Sequence, residues 1–224
     1  MNEIQLYIVS TPIGNLGDIT LRALDTLKEV DFVLCEDTRV SKKLFDHYNI
    51  SKTLISYHQH SDEKKIGEIK KLLSDGKKLA LITDAGTPGI SDPGNKLIEE
   101  LLTTNPDLGI TIIPGASAVT AALALSGFPT DKFIFLGFPP HKNKRNKYFK
   151  ELAEYKYTVC LYESSHRITK TLNELIEVLG SKRRVVVCRE LTKKFETIYR
   201  GTAGGMTNMS IKEKGEFVIV INNK

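Results

Sequence analysis

The sequence predicts an α/β protein built from two α/β domains, and three observations lead to this prediction. Short apolar runs alternate with amphipathic stretches of helical period over the first half of the 224 residues. Such repetition is typical of a parallel sheet covered by helices. Further apolar runs follow in the second half, and the last of them lack room for a crossover helix. The second half therefore predicts a separate, mixed sheet.

Each of the first five predicted strands is followed by a predicted helix. The strands are 6–10, 32–35, 54–57, 79–83 and 110–113, and the helices are 20–29, 39–48, 62–74, 95–104 and 117–125. The stretch from Leu108 to Thr130 has no charged residue over 23 positions, which is long enough to cross a bilayer. Gly and Pro at 114–115 and 127–129 interrupt it, so we assign it to a strand and a helix of the core.

The second set of apolar runs predicts five more strands, at 133–137, 158–162, 184–189, 197–201 and 217–221. Helices near 143–153 and 166–179 separate the first three of them. We place the domain boundary after Gly115, which gives an N-terminal α/β domain at 1–115 and a C-terminal α/β domain at 116–224.

The charge is distributed unevenly between these two parts. Residues 1–115 carry 13 Lys/Arg and 17 Asp/Glu, whereas residues 116–224 carry 19 and 10. A basic half indicates a polyanionic partner, of which nucleic acid is the commonest. The densest basic stretch is His141–Lys150, with five Lys/Arg and no acid. A solvated helix start is an equally good interpretation of that stretch.

The cysteines and the amino terminus predict a cytoplasmic protein. Cys35, Cys160 and Cys188 are odd in number, far apart and each inside an apolar run, which is typical of buried reduced thiols. Glu3 precedes the first apolar run and no basic segment does, so we expect no signal peptide and no membrane association. His58 and His60 lack an evident third ligand, and a polar strand end explains them better than a metal site.

Loops rich in Gly and Pro follow four strands of the predicted parallel sheet, at 11–18, 35–39, 83–94 and 114–118. Ligands of parallel sheets bind at this edge, beyond the carboxyl ends of the strands. The third loop is neither a Walker loop nor a GxGxxG turn. It contains Asp84 and Asp92, and no base lies between Lys78 and Lys96. It therefore favours a ligand with cationic character, such as a sulfonium, over a pyrophosphate.

Seven motifs together resemble the ribosomal RNA small-subunit methyltransferase I family, within the tetrapyrrole methylase superfamily. They are TPIGNLGDITLRAL (11–24), CEDTR (35–39), LITDAGTPGISDPG (81–94), PGASAVTAALALSGFP (114–129), FLGFPP (135–140), YESSHR (162–167) and CRELTKKFET (188–197). The resemblance covers the chain from about Leu6 to Gly201.

The resemblance implies S-adenosyl-L-methionine-dependent methylation of the ribose 2′-hydroxyl of a cytidine in the decoding region of small-subunit (16S) rRNA. It implies two α/β domains with the donor in the cleft between them, a homodimer, and 16S rRNA or the small ribosomal subunit as partner. By position it assigns donor binding to Ile13, Thr87, Pro88, Gly89, Ile90, Ser117, Ala118, Leu161, Tyr162 and Leu191.

A side chain that accepts the hydroxyl proton would accelerate such a transfer. The candidate bases are Glu36, Asp37, His166 and Glu190, and the residues that could orient phosphates are Arg39, Arg167 and Lys193. We select Glu36, Asp37, Arg39, His166 and Lys193 as the catalytic set. A helix-cap or ion-pair role is an equally good interpretation of each carboxylate.

Two departures from the family pattern and two rival functions remain open. Ser165 stands where the family usually has Pro, which predicts a looser loop, and we expect Ser164 and Ser165 to cap the following helix. Longer family members carry a further C-terminal segment, whose RNA contacts we expect to be missing or supplied elsewhere. One rival is a superfamily methylase that acts on a tetrapyrrole or a protein. The other is a non-catalytic RNA-binding assembly factor.

Overall fold

The computed structural model describes residues 3–58, 61 and 63–222. The chain divides into two compact units, Met1–Ser117 and Ala118–Lys224. Each unit has its own five-stranded sheet, so the predicted α/β class with two sheets is confirmed. The boundary after Gly115 stays a prediction.

The sheet of the first unit is entirely parallel, with strand order β3-β2-β4-β1-β5. Its strands are β1 (Ile4–Val9), β2 (Phe32–Cys35), β3 (Thr53–Ser56), β4 (Leu79–Leu81) and β5 (Gly109–Ile113), and its helices are α1 (Leu21–Glu29), α2 (Thr38–His47), α3 (Glu63–Ser74) and α4 (Asn95–Thr104). Apolar residues of the strands and helices form two buried clusters, which stabilise the sheet by removing apolar surface from water.

Side chains at the helix starts fix where α1 and α2 begin. Thr20 Oγ1 accepts a hydrogen bond from the Ala23 N–H, and Asp37 accepts one from the Arg39 N–H. Both bonds satisfy amide groups that have no partner within the helix. By contrast, the N-cap of α4 is Gly94, whose φ is 146° and which supplies no side-chain cap. A short 3-10 helix at Leu16–Asp18 precedes α1.

The second unit contains the mixed sheet, with strand order β6-β7-β10-β8-β9. Only the β6–β7 pair is parallel; the others are antiparallel. Its elements are α5 (Ala118–Ser126), β6 (Phe133–Phe135), α6 (Arg145–Glu154), β7 (Thr158–Ser164), α7 (Ile168–Leu179), β8 (Arg184–Arg189), β9 (Thr197–Thr202), α8 (Ala203–Asn208) and β10 (Glu216–Ile221). The uncharged stretch after Leu108 thus forms β5 and α5, as predicted.

A buried ionic cluster joins α6, β7 and α7 in the second unit. The Glu163 carboxylate is fully buried and lies 2.8 Å from Arg167 Nε, and its other oxygen accepts the Thr171 hydroxyl. Arg145, with its side chain 3% exposed, donates to Glu174 and Thr171. Because Arg145 is buried and paired, it is not available to a partner, although the sequence places it in the basic stretch His141–Lys150.

The segment after β7 differs from the expectation for the cap of α7. Neither Ser164 nor Ser165 caps α7, whose N-cap is Arg167, and the Arg167 side chain forms no capping hydrogen bond. Instead, the Ser165 hydroxyl donates to the Gly215 carbonyl at 2.7 Å and accepts its N–H at 3.1 Å. The hydroxyl therefore ties this loop to the residue before β10, and the looser loop stays a prediction.

The remaining predictions concern cysteines, metal ligands and membrane spans. All three cysteines are buried and free. Within the described residues no cluster of His, Cys, Asp and Glu could hold a metal ion, and His60 lies outside those residues. None of the helices in the described part of the chain is long and apolar enough to cross a bilayer.

Candidate active site

Loops that follow β1, β4 and β5 meet at one edge of the parallel sheet. Thr11 and Gly86 exchange backbone hydrogen bonds of 2.9 and 3.1 Å, and Thr11 Oγ1 donates to the Thr83 carbonyl at 3.0 Å. A Cβ added to Gly86 would lie 3.5 Å from Ile13 Cγ2 and 3.9 Å from the Ala116 carbonyl oxygen. The donor-binding candidate Ile13 therefore lies close to the glycine-rich loop and to the loop after β5.

The glycine-rich loop contains the largest group of donor-binding candidates. Thr87 accepts the Ile90 N–H in a turn, and its hydroxyl lies 2.9 Å from Ser10 Oγ. Gly89 has a φ of 84°, and a Cβ there would overlap with Asn95 Oδ1 unless that side chain moved. The positive φ favours glycine at this position. Pro88 and Gly89 are buried, whereas Ile90 is 47% exposed at the rim.

Three carboxylates gather around Thr83 at the same edge: Glu36, Asp84 and Asp92. Thr83 Oγ1 lies 3.4 Å from Glu36 Oε2. Burial, followed by the charge of Asp84, raises the pKa of Glu36. Burial, followed by the charge of Glu36, raises the pKa of Asp92 to about 6. Burial also raises the pKa of Asp84. Anions that destabilise one another in this way favour a cationic neighbour.

Asp37 has a different environment from the neighbouring Glu36. Its carboxylate caps α2 and pairs with Arg39, with an Nη2–Oδ2 distance of 2.6 Å. The hydrogen bonds from the Arg39 side chain and backbone lower the pKa of Asp37 to about 2. The Asp37 N–H donates to Asp84 Oδ1 at 3.1 Å, which links the loop after β2 to the glycine-rich loop. Asp37 therefore acts both as the cap of α2 and as the partner of Arg39 in an ion pair.

In the second unit, Leu161 and Tyr162 lie next to each other on β7. Leu161 is fully buried in the core of that unit. Tyr162 packs against Phe135 and Phe138, with ring centroids 4.9 and 5.3 Å apart. Its N–H donates to the Gly137 carbonyl. An aromatic cluster thus forms where β6 and β7 end, and Phe138 is 51% exposed there.

The other candidates of the second unit lie in loops. His166 is exposed after β7, and Leu191 is buried in the β8–β9 loop. Lys193 Nζ lies 3.1 Å from Glu190 Oε1 and 2.8 Å from Glu216 Oε2. Burial would lower the pKa of Lys193, but the two carboxylates raise it overall. Burial would raise the pKa of Glu190, but the Glu216 N–H and Lys193 lower it overall.

The selected residues therefore fall into three groups. Ile13, Thr87, Glu36 and Asp37 lie in linked loops of the first unit; Ser117 directly follows Ala116 there, and Ala118 begins α5. Tyr162 joins an aromatic cluster, and Lys193 a carboxylate pair. Asp84, Asp92 and the hydroxyls of Ser10 and Thr83 are absent from the selected set. The feature of the sequence that points to the two aspartates is the lack of any Lys or Arg between Lys78 and Lys96.

The fold and this edge of the sheet define a class of protein. A family model described as Tetrapyrrole (Corrin/Porphyrin) Methylases matches residues 5–207. A solved diphthine synthase has a TM-score of 0.73 at 13% identity, covering 98% of this chain and 90% of that one. A solved cobalt precorrin-4 methyltransferase has a TM-score of 0.70 at 23% identity, covering 96% of this chain and 94% of that one. At such identities these two structures show the fold alone. The class is that of the tetrapyrrole methylases.

Closer relatives share one name, ribosomal RNA small subunit methyltransferase I. The Thermotoga maritima protein is 43% identical over 222 residues, which are 98% of this chain and 99% of that protein. The Mycoplasmopsis pulmonis protein is 47% identical, covering 96% of each, and the Synechocystis protein is 45% identical, covering 96% and 78%. The chain belongs to the ribosomal RNA small subunit methyltransferase I family, as its motifs predict, and is a methyltransferase.

Proposed function

We propose that the protein transfers a methyl group from S-adenosylmethionine to the ribose 2′-hydroxyl of a cytidine in the decoding region of 16S rRNA. The observation that carries this proposal is the 43% identity, over 98% of the chain, with a relative named for small-subunit rRNA methylation. The excess of Lys/Arg over Asp/Glu in residues 116–224 supports a polyanionic substrate.

The edge of the parallel sheet suits the proposed donor. Glu36, Asp84 and Asp92 all have raised pKa values, first because of burial and then because of a nearby carboxylate, which is Asp84 for Glu36, Asp37 for Asp84 and Glu36 for Asp92. A sulfonium near them would relieve that repulsion, whereas a pyrophosphate would add to it. Gly86 and Gly89 leave the backbone of the loop without side chains where it approaches Ile13 and Asn95. We assign donor binding to the ten residues named from the family motifs, with Asp84 and Asp92 as the neighbouring charges.

S-adenosylmethionine supplies, when bound, an electrophilic methyl group on a positively charged sulfur. Because such a transfer is an in-line displacement, the chain contributes mainly by holding the reactants in line. Of the two carboxylates in the selected catalytic set, Glu36 is better suited to accept the hydroxyl proton, since its pKa is raised and that of Asp37 is lowered. Asp37 is a poor base at a pKa of about 2. We assign it, with Arg39, to the orientation of the RNA backbone, and we assign phosphate contacts to Lys193 and His166.

The proposal includes the assembly and location of the enzyme. We propose that the chain consists of an N-terminal domain at 1–115 and a C-terminal domain at 116–224, and that the enzyme is a cytoplasmic homodimer. Ultracentrifugation of the purified protein checks the dimer, and cell fractionation checks the location. A monomer at micromolar concentration, or recovery in a membrane fraction, would contradict these two parts without affecting the chemistry.

Single-turnover methylation tests the assigned roles. Glu36, Asp37, Arg39, His166 and Lys193 are each replaced by Ala, and Asp25→Ala, on the exposed face of α1, serves as the control. We expect Glu36→Ala to lower the rate by about 10²–10⁴-fold while calorimetry shows S-adenosylmethionine still bound. If all five variants keep the wild-type rate with the donor bound, the roles are wrong.

Two further measurements test the reaction itself. Mapping 2′-O-methyl groups in rRNA from cells that lack the gene should show one cytidine of the decoding region unmodified. A complete set of methyl groups would contradict the proposed substrate. Absence of S-adenosylmethionine binding in calorimetry would instead support a non-catalytic RNA-binding assembly factor.

A further inference from the structure

An open groove of about 930 Å³ lies on the second unit, and none of the five residues assigned above to catalysis lines it. Two segments form it: the β8–β9 loop, residues 190–196, and the segment between α8 and β10, residues 209–215. We call it the hairpin groove. Its lining includes Lys194, Phe195, Lys212 and Lys214. Its volume is within the range of about 300–1,000 Å³ that is typical of ligand sites.

The groove has a rigid frame. Arg189 is 7% exposed and donates to the carbonyls of Lys214 and Phe195, at 2.7 and 2.9 Å, so one guanidinium joins both segments. The loop has left-handed backbone at Glu190 and Thr192, with φ of 51° and 63°. The Thr192 N–H donates to Glu196 Oε2. A preformed frame lowers the entropic cost of binding.

This frame presents an aromatic ring to solvent. Phe195 is 65% exposed, and Lys194 Nζ lies 5.6 Å from its ring centroid. An exposed Phe beside a cation does not contribute to the core of its own unit. Single-stranded nucleic acids are bound by aromatic rings on which unpaired bases stack, together with nearby cations for the phosphates.

The groove is lined by four basic and four acidic side chains. Two of the four carboxylates are paired with Lys193, and the other two accept hydrogen bonds from neutral groups. Glu190 and Glu216 bind Lys193, Glu196 accepts the Thr192 N–H, and Glu213 accepts the Thr169 hydroxyl. Among the described residues, the ammonium groups of Lys194, Lys212 and Lys214 form no ion pair. Their charges are therefore available to phosphates.

We propose that the hairpin groove binds an unpaired segment of the RNA substrate, with one base stacked on Phe195 and the adjacent phosphates near Lys212 and Lys214. The proposal rests on RNA being the substrate and adds a contact site for it. The donor also contains a base that could stack on an aromatic ring, so the test must separate RNA binding from donor binding.

Fluorescence anisotropy with a labelled single-stranded RNA of about ten nucleotides tests the proposal, within the site sizes known for single strands. We expect Phe195→Ala to weaken binding by about 5- to 150-fold and Phe195→Trp to retain it. Lys212→Ala with Lys214→Ala should reduce the slope of log affinity against log salt by about 1.4, since each phosphate contact on a single strand contributes about 0.7.

Lys132 and Tyr157 provide a matched control in the same unit. Lys132 Nζ lies 5.7 Å from the ring centroid of Tyr157, which is 40% exposed, and neither residue lines the groove. Tyr157→Ala and Lys132→Ala should leave RNA affinity within twofold of wild type. An equal loss in Tyr157→Ala and Phe195→Ala would overturn the proposal, because binding would then be non-specific.

Calorimetry with S-adenosylmethionine and a methylation assay separate the remaining outcomes. The proposal requires the donor affinity of Phe195→Ala to match that of wild type; a parallel loss would place the groove in the donor site and overturn it. If wild type methylates RNA and Phe195→Ala binds RNA with wild-type affinity, the proposed role of the groove is wrong and the proposed function stands. If wild type methylates the small ribosomal subunit but does not bind the labelled RNA, the proposed role of the groove is wrong and the proposed function stands. If wild type neither binds the RNA nor methylates the subunit, both proposals are wrong.

Discussion

At the scale of single residues, Asp92 is the most perturbed carboxylate of the glycine-rich loop. Its pKa rises from 3.8 to about 6, first because of burial and then because of Glu36. Between these two values the folded chain binds more protons at Asp92 than the unfolded chain does. The free energy of unfolding that Asp92 contributes therefore falls as pH rises through this window, and Asp92 destabilises the fold at neutral pH.

Asp92→Asn should therefore stabilise the protein in a pH-dependent way. We expect the variant and wild type to have equal stability near pH 4 and to separate between about pH 4 and 6. Above pH 6 the variant should be more stable by about 1–2 kcal/mol, less than the full pKa shift implies because Asp92 is only partly buried. Urea denaturation across the pH range measures this difference. Asp25→Asn is the control, and a difference independent of pH would refute the assigned cause.

The sequence predicts only part of this residue-scale detail. The absence of bases between Lys78 and Lys96 marks the loop as acidic, but it cannot reveal that Glu36 shares the same edge, because that proximity requires β2 to pair with β4. Glu163 is a stronger example. In the sequence it is part of a motif, whereas its complete burial against Arg167 depends on how α7 packs on β7.

At the scale of elements, α4 follows a glycine N-cap that supplies no side-chain hydrogen bond. Ser or Asp is preferred at an N-cap, but Gly94 has a φ of 146°, and a Cβ there would lie 3.3 Å from both the Gly89 nitrogen and Leu81 Cδ2. The start of α4 is thus shaped by the close approach of the glycine-rich loop and not by helix propensity.

Gly94→Ala should destabilise the protein by about 1–3 kcal/mol, because only glycine adopts this backbone region without strain. Gly67→Ala is the matched control: Gly67 lies inside α3, and no atom lies within 4 Å of an added Cβ. It should stabilise the protein by about 0.5–1 kcal/mol through the entropy of the unfolded chain. Urea denaturation compares the two variants. Equal effects would show that the conformation of Gly94 carries no strain.

Element order within the second sheet is harder to predict than the elements themselves. Alternating apolar runs reveal all ten strands to within a few residues. They do not reveal that β10 inserts between β7 and β8, because any of the last strands could fill that place and α8 is only six residues long. The parallel sheet is more predictable, since each strand–helix unit must return to the same sheet.

At the scale of the whole molecule, the uneven charge links sequence and proposed substrate. The excess of bases in residues 116–224 is visible without a structure, but which of them remain available to a partner is not. Arg145 is buried against Glu174, whereas Lys142 and Lys150 are exposed and form no ion pair among the described residues. The basic stretch is therefore both a structural helix start and a charged surface.

The dependence of RNA affinity on salt should locate this surface. Wild-type affinity should fall steeply between about 50 and 200 mM salt because bound counterions are released from RNA. Lys142→Ala combined with Lys150→Ala should reduce the logarithmic slope by about 1.4. Lys43→Ala combined with Lys64→Ala removes the same charge from exposed positions of α2 and α3 and should leave the slope unchanged. Equal slopes in the two double variants would mean that net charge alone, and not the second unit, attracts the RNA.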